Sequence, residues 1–191
     1  MKSKIFVMMA GIPASGKSSA RRALAKYLKD QYGVRSMVIN KDRIRKEIKE
    51  ANPEMKLEEV IEAGRKESFN RLEIWTKSDS VPVCIWDNIS QDVFDRKTVL
   101  DHLDEETTLI CAIHMNRDTY FCKKHNTAVD RDPVPVEVIF KWNRRFQQPI
   151  YAEGFHVIFH VDGTHKLNPE KFVARINEFP NTVLKPEVGY K

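Results

Sequence analysis

The sequence has few cysteines and no long apolar run, and these absences exclude several classes of protein. Its three cysteines, Cys84, Cys111 and Cys122, are an odd number without the spacing of metal-ligand pairs. Cys84 and Cys111 lie within apolar segments, where a buried free thiol is the usual state, and this indicates a reducing compartment. No stretch approaches the length of a transmembrane helix, and no internal repeat or low-complexity linker is visible. We therefore expect a cytoplasmic protein with no membrane partner.

The size and charge of the chain are those of an ordinary globular domain. Its 191 residues, 41% of them hydrophobic and 31% charged, suffice for one domain with a substantial core. The formal net charge of +5 and the pI of about 9.0 favour anionic partners. A bound nucleoside triphosphate alone could account for so small an excess, so nucleic acid is permitted but not required. We expect one domain over residues 1–180 and a C-terminal tail over residues 181–191.

The most informative segment is GIPASGKS, residues 11–18, which fits the phosphate-binding loop pattern G-x-x-x-x-G-K-[ST]. An apolar run of strand length precedes this P-loop, and apolar residues at helical spacing follow it. Lys17 would reach the β- and γ-phosphates, and the Ser18 hydroxyl would bind Mg²⁺. The sequence therefore predicts ATP and Mg²⁺ as cofactors. The predicted nucleotide contacts are Gly11, Ile12, Pro13, Ala14, Ser15, Gly16, Lys17, Ser18, Ser19 and, further along the chain, Arg117.

Five apolar segments of strand length alternate with segments of helical periodicity. The strands are expected at residues 4–10, 34–40, 81–86, 107–115 and 155–161. Such alternation implies an α/β fold with a five-stranded parallel sheet and helices on both faces. Because ligands of such sheets bind beyond the carboxyl ends of the strands, the residues that end the strands are the candidates for function.

Polar side chains follow the second and third strands. Asp42 and Arg45 lie one helical turn apart, so the carboxylate could accept a hydroxyl proton while the guanidinium holds a phosphate. Asp87 ends the third strand as a Walker-B carboxylate does, which makes it a metal ligand beside Ser18 in this interpretation. The alternatives are a helix cap for Asp42, a solvated charge for Arg45 and a simple turn at Asp87. Ser90 is expected to cap the next helix.

The stretch over about residues 117–135 is polar and basic and has no apolar stripe. It is typical of a lid from which an arginine reaches the phosphates during transfer. Pro133 and Pro135 would stiffen the exit of this lid. A plain solvated loop is the alternative for any single residue in it.

Over about residues 1–150 the chain resembles the bacteriophage-type polynucleotide 5′-kinases, a group of P-loop kinases. GIPASGKS is similar to their G-x-P-G-S-G-K-S, with Ala14 in place of the middle glycine, and NKDRIR, residues 40–45, is similar to their N-R-D-D-x-R. The resemblance implies that Asp42 is the general base and that Arg45 is the essential arginine. A similarity between residues 125–135 and their lid implies that Arg131 is the lid arginine. The predicted catalytic residues are therefore Lys17, Asp42, Arg45 and Arg131.

The predicted function is the transfer of the γ-phosphate of ATP to the 5′-hydroxyl end of a nucleic acid. One alternative keeps the P-loop kinase fold and changes the acceptor to a small molecule or mononucleotide. Another is a non-catalytic, nucleotide-binding accessory protein, against which Asp42 argues because nucleotide binding alone needs no carboxylate there. The segment HVDGT resembles the D-x-D-G-T of a phosphatase domain, but His160 replaces the nucleophile and only 27 residues follow Thr164. We interpret that segment as a strand and its turn.

Overall fold

A five-stranded parallel sheet forms the centre of the computed structural model, which describes residues 3–126, residues 133–179 and Leu184. Its strands are β1 (Lys4–Ala10), β2 (Ser36–Ile39), β3 (Val83–Asp87), β4 (Thr108–Asn116) and β5 (Val157–Asp162). They lie in the order β2–β3–β1–β4–β5. The expectation of an α/β fold built on five parallel strands is confirmed.

Seven α-helices join or flank these strands in the described part of the chain. They are α1 (Lys17–Tyr32), α2 (Lys41–Ala51), α3 (Leu57–Lys77), α4 (Val93–Leu100), α5 (Thr119–Lys124), α6 (Val136–Arg145) and α7 (Pro169–Asn177). None of these helices is both long enough and apolar enough to cross a bilayer.

Alternation along β1 directs side chains into two separate cores, one on each face of the sheet. Ile5 and Val7 pack in a cluster with residues of α1 and α7. Phe6 and Met8, which point the other way, pack with residues of α2, α3 and α4. Leu184, which belongs to the predicted tail, is buried in the first cluster. Helices therefore cover both faces, as the sequence predicts.

The strand order places the segment that follows β1 between the ends of β3 and β4. Met9 is paired with Asp87 of β3, and Ala10 is paired with His114 of β4. The P-loop, which begins at Gly11, thus lies at the centre of the carboxyl edge of the sheet, where parallel α/β sheets bind their ligands.

Two predicted helix caps are wrong. Ser90 does not cap α4, because Asp92 is the N-cap and its side chain accepts a hydrogen bond from the backbone N–H of Asp95 at 2.8 Å. Asn40 caps α2 by accepting from the backbone N–H of Arg43 at 2.8 Å. The alternative role of Asp42 as a helix cap is therefore also wrong, since Asp42 lies inside the first turn.

The first part of the polar stretch that follows β4 is helical, although its sequence shows no apolar stripe. It contains α5, whose Cys122 is fully buried in a small apolar cluster with Ile12 of the P-loop and Ile139 of α6. This burial raises the pKa of the Cys122 thiol to about 11. An apolar contact thus fastens α5 and α6 to the P-loop. Arg131, the predicted lid arginine, lies outside the described residues.

A buried ion pair joins α4 to the segment between α6 and β5. The fully buried guanidinium of Arg96 contacts the Glu153 carboxylate through Nε at 2.6 Å and Nη2 at 2.9 Å. It also donates to the carbonyl oxygens of Ser90 and Gln147, at 3.1 and 2.7 Å. All the other hydrogen bonds of the Arg96 guanidinium go to carbonyl oxygens. An apolar side chain at this position could make none of them.

Arg96→Met should destabilise the protein by about 3–5 kcal/mol, because it leaves the buried Glu153 carboxylate without its partner. Lys97→Ala is the matched control, since Lys97 forms an exposed ion pair with Asp101 at 2.7 Å, and such pairs contribute at most about 1 kcal/mol. Urea unfolding followed by circular dichroism measures both. Equal, small losses would show that the Arg96–Glu153 pair is energetically unimportant.

Candidate active site

The loop after β1 has the backbone conformation of a phosphate-binding loop. Gly11 and Gly16 have φ of 143° and 93°, and Ala14, at the place of the glycine in the similar motif, has φ of 62°. A Cβ on Gly11 would lie 2.8 Å from Ser15 Oγ and 3.0 Å from the carbonyl oxygen of Met115. These short distances leave no space for a side chain at Gly11. Ala14 adopts a left-handed backbone conformation that is more favourable for glycine.

The polar groups of this loop suit phosphate oxygens. Lys17 Nζ reaches back to the carbonyl oxygens of Gly11 and Ile12, both at 2.8 Å, so its ammonium group lies against the loop. The buried Ser15 Oγ has no hydrogen-bond partner in the described residues. Helix α1 begins after Gly16 with no side-chain cap and no acidic residue in its first turn. Its N-terminal N–H groups and partial positive charge therefore fit an anion, and the nucleotide phosphates fit this loop.

The predicted metal ligands are a hydroxyl and a carboxylate, the oxygen donors that Mg²⁺ prefers. Ser18 is exposed in the first turn of α1, next to the exposed Ser19. Asp87 is buried at the end of β3, and its Oδ2 lies 2.9 Å from Nε of Arg21 on α1. The described residues contain no cluster of three histidine, cysteine, aspartate or glutamate side chains around a metal position. The donor set fits Mg²⁺ held by few protein ligands together with phosphate oxygens.

Asp87 is also tied to the start of α2. The Asn40 amide donates to both the backbone oxygen and the Oδ2 of Asp87, at 3.0 and 3.1 Å, while its own oxygen caps α2. Asn88, the residue after Asp87, accepts a hydrogen bond through its side-chain oxygen from the backbone N–H of Lys41 at 2.9 Å. The helix that carries Asp42 is therefore fixed to the carboxylate predicted to hold the metal.

The predicted base and its arginine lie side by side on α2. The Asp42 side chain is 81% exposed, and its Oδ1 lies 3.4 Å from Nη1 of Arg45. The Arg45 side chain packs over α3, where a Cβ on Gly64 would lie only 2.7 Å from Arg45 Cγ. The buried Nε of Arg45 has no hydrogen-bond partner in the described residues. Gly64 thus makes room for Arg45, and the close contact explains a glycine inside a helix.

From the sequence, Lys41 is expected only to help bind the later phosphates of a polymeric acceptor, and it is not among the predicted site residues. Its Nζ lies 5.5 Å from the ring centre of Trp86 and 6.0 Å from that of Phe69, distances of a cation–π contact. Burial lowers the pKa of Lys41, the carboxylate of Asp95 opposes this shift, and the positive charge of Arg45 adds to it. The sequence gives little indication of this contact, because Phe69 and Trp86 are far from Lys41 along the chain.

Arg117, the predicted nucleotide contact after β4, is bound to backbone carbonyl oxygens near the end of β5. Its buried guanidinium donates to the carbonyl oxygen of Val161 at 3.0 Å and to those of Gly163 and His165, all after or at the end of β5. It also stacks over Phe121, 4.9 Å from the ring centre. These contacts fix the loop between β5 and α7, and the role of Arg117 in nucleotide binding stays a prediction.

Asn40→Ser should weaken Mg²⁺ binding about 10- to 100-fold, because serine still caps α2 but no longer orients Asp87. Titration calorimetry of nucleotide binding against Mg²⁺ concentration measures this. Asn168→Ser is the matched control, since Asn168 caps α7 by accepting from the backbone N–H of Lys171 at 3.0 Å and is remote from Asp87. If both variants lose the same stability and neither changes the Mg²⁺ dependence, Asn40 is only a helix cap.

The comparisons with known proteins agree with this geometry. The family model of adenylylsulphate kinase matches residues 3–129. A structure from Chloroflexus aurantiacus j-10-fl, described as a candidate kinase, superposes with a TM-score of 0.62 at 14% identity, over 93% of this chain and 96% of that chain. A gluconokinase from Sinorhizobium meliloti 1021 gives 0.57 at 14% identity, over 93% and 95% of the two chains. A sugar kinase from Janibacter sp. HTCC2649 gives 0.55 at 14% identity, over 92% and 93%.

Identities this low show a shared fold and nothing finer. No curated protein matches the sequence. The expected P-loop kinase is confirmed at the level of the family, and the finer resemblance to polynucleotide 5′-kinases is not shown by any of these comparisons. With a family model matching two thirds of its length, the chain belongs to the adenylylsulphate kinase family of P-loop kinases.

Proposed function

We propose that the protein transfers the γ-phosphate of ATP to a hydroxyl group of a small-molecule acceptor, with Mg²⁺ as the required ion. The P-loop and Lys17 would hold the phosphates of ATP, with Ser18 and Asp87 as the metal ligands. The family takes its name from a kinase of a small molecule, and the similar structures include a sugar kinase and a gluconokinase.

The observation that favours a small acceptor is that most basic side chains around Asp42 already bind partners within the protein. Arg43 Nε lies 3.2 Å from a carboxylate oxygen of Glu47. Lys49 Nζ donates to two backbone carbonyl oxygens in the connection to α3, at 2.7 and 2.6 Å. A polymeric acceptor needs a row of cations for its successive phosphates. Among the described residues of α2, Lys41 contacts aromatic rings and Arg45 pairs with Asp42 itself, so few cations are left for successive phosphates.

The chemistry asked of these residues is positioning and charge neutralisation. The exposed carboxylate of Asp42 is accessible to an acceptor hydroxyl and would take its proton as the hydroxyl oxygen bonds to the γ-phosphorus and the bond from that phosphorus to the leaving ADP breaks. Bound Mg²⁺ would neutralise charge on the phosphate oxygens. Lys17 would add positive charge at the β- and γ-phosphates, and Arg45 would hold the acceptor beside Asp42.

A second candidate acceptor is the 5′-hydroxyl end of a nucleic acid. It is favoured by the similarity of residues 40–45 to the polynucleotide kinase motif and by the net charge of +5. In that case Arg45 would bind the first phosphate of the strand, with Lys41 close to it.

Transfer of labelled γ-phosphate to a panel of sugars, sugar acids, nucleotides and a 5′-hydroxyl oligonucleotide separates the two candidates. We expect a small molecule to be phosphorylated and the oligonucleotide to be inert at every salt concentration. An oligonucleotide that is phosphorylated, with a KM that rises steeply with salt, would establish the second candidate and overturn the first.

Asp42→Asn should lower kcat about 10²- to 10⁴-fold and leave the KM for ATP unchanged, because the carboxylate serves only the acceptor. Asp30→Asn is the control, since Asp30 forms an exposed pair with Lys26 on α1 and lies in no predicted site. Steady-state kinetics at saturating ATP measures both variants. Unchanged turnover in Asp42→Asn would show that Asp42 is not the base of the reaction.

Gly64→Ala should raise the acceptor KM as Arg45→Ala does, because the added methyl group displaces the Arg45 side chain. Helix propensity by itself would make the alanine stabilising by about 1 kcal/mol, so thermal unfolding should show no loss of stability. The double variant is the control, and its acceptor KM should equal that of Arg45→Ala alone. Additive effects would mean that Gly64 acts independently of Arg45.

A further inference from the structure

Among the described residues, the basic side chains on α5 and α6 have no ion-pair partner, whereas most of those on the other helices do. Lys26 pairs with Asp30 at 2.5 Å, and similar pairs involve basic residues of α2, α3, α4 and α7. Among the described residues, no carboxylate forms an ion pair with any of five exposed cations on α5 and α6. These five are Lys123, Lys124, Lys141, Arg144 and Arg145.

Helices α5 and α6 are neighbours that carry their cations on exposed sides. Lys141, Arg144 and Arg145 recur at helical spacing on the outer side of α6, opposite the buried Ile139. On α5 the two lysines follow the buried Cys122, which packs in the same apolar cluster as Ile139. The inner sides of both helices therefore meet each other and the P-loop, while their charged sides face solvent.

Each of the two helices also carries an exposed aromatic ring. Tyr120 on α5 is 75% exposed and Phe140 on α6 is 47% exposed. Cations that follow a phosphate backbone, alternating with rings on which bases stack, are the combination found on surfaces that bind single strands. We propose that Tyr120, Phe140 and the five cations form a binding surface for single-stranded nucleic acid, called here the α5–α6 surface.

The aromatic rings decide between single strands and other polyanions. A base-paired duplex keeps its bases stacked inside, so Tyr120 and Phe140 would find no partner on it. Anionic lipid or an acidic protein would attract the same cations but offers no planar base to stack on these rings. The positive charge, the helix spacing and the exposed rings together favour an unpaired strand.

This surface lies on the other side of the P-loop from the acceptor residues. Helices α5 and α6 follow β4, whereas Asp42 follows β2, and β1 separates β4 from β3 and β2 in the sheet. The α5–α6 surface is accordingly distinct from the residues proposed to hold the acceptor. This inference goes beyond the proposed small-molecule kinase and does not depend on it.

The first test measures binding of a fluorescent single strand of about 15 nucleotides by anisotropy, without ATP, at several salt concentrations. Binding should weaken with salt. The triple variant Lys141→Ala, Arg144→Ala, Arg145→Ala should reduce the slope of log Kd against log salt by roughly two, since each phosphate contact on a single strand contributes about 0.7. Its small-molecule kinase activity should equal that of the wild type.

The matched control removes the same charge from three exposed cations that do have acidic partners. This control is the triple variant Lys46→Ala, Lys66→Ala, Lys77→Ala, whose three lysines pair with Glu50, Glu62 and Glu73. It should leave the affinity for the single strand and the salt slope unchanged. If both triple variants weaken binding equally, the strand responds only to net charge and the α5–α6 surface is not its site.

A second pair of variants tests the aromatic rings. Tyr120→Ala and Phe140→Ala should each weaken single-strand binding at least about five-fold with an unchanged salt slope, because stacking involves no counterion release. Duplex of the same sequence and phosphatidylserine vesicles should bind more weakly than the single strand and should not respond to these two variants. Equal binding of all three ligands, or no binding of the strand at low salt, would overturn the proposal while leaving the phosphate-transfer assay unaffected.

Discussion

The buried carboxylate of Asp87 is the group on which the arrangement of this site depends. A carboxylate removed from water needs both a counter-charge and hydrogen-bond donors. Arg21 supplies the charge from α1, and the Asn40 amide supplies a donor from the start of α2. The helix after the P-loop, the end of β3 and the helix with Asp42 are therefore held by one buried group. A displacement of either helix would cost Asp87 one of its two partners.

The two halves of the site are built by different means. On the nucleotide side, backbone conformation does most of the positioning, through the left-handed φ of Gly11 and Gly16 and the open N-terminus of α1. On the acceptor side, side-chain packing does it: Gly64 makes room for Arg45, and two aromatic rings hold Lys41. Packing of this kind can change with few substitutions, which suits a fold that serves many acceptors.

Charge pairing separates the functional cations from the others. Exposed ion pairs such as Arg43–Glu47 contribute little to stability, but they take cations away from the ligand. In the proposed function, Lys41 and Arg45 would bind a small acceptor on one side of β1. The exposed rings of α5 and α6, and their cations, which form no ion pair within the described residues, lie on its other side. The proposed acceptor site and the proposed α5–α6 surface would thus be separate.

The sequence by itself determined the parallel sheet and the P-loop, because apolar strands and a glycine-rich phosphate loop are patterns of neighbouring residues. It also placed Asp42, Arg45 and Asp87 at strand ends, which follows from the same local reading. The tertiary structure alone decided that Asn40 bridges to Asp87 and that the guanidinium of Arg117 binds backbone after β5, contacts between residues 47 and 44 positions apart. Partners so distant in sequence leave no periodic signal, since only the packed sheet brings them within hydrogen-bonding distance.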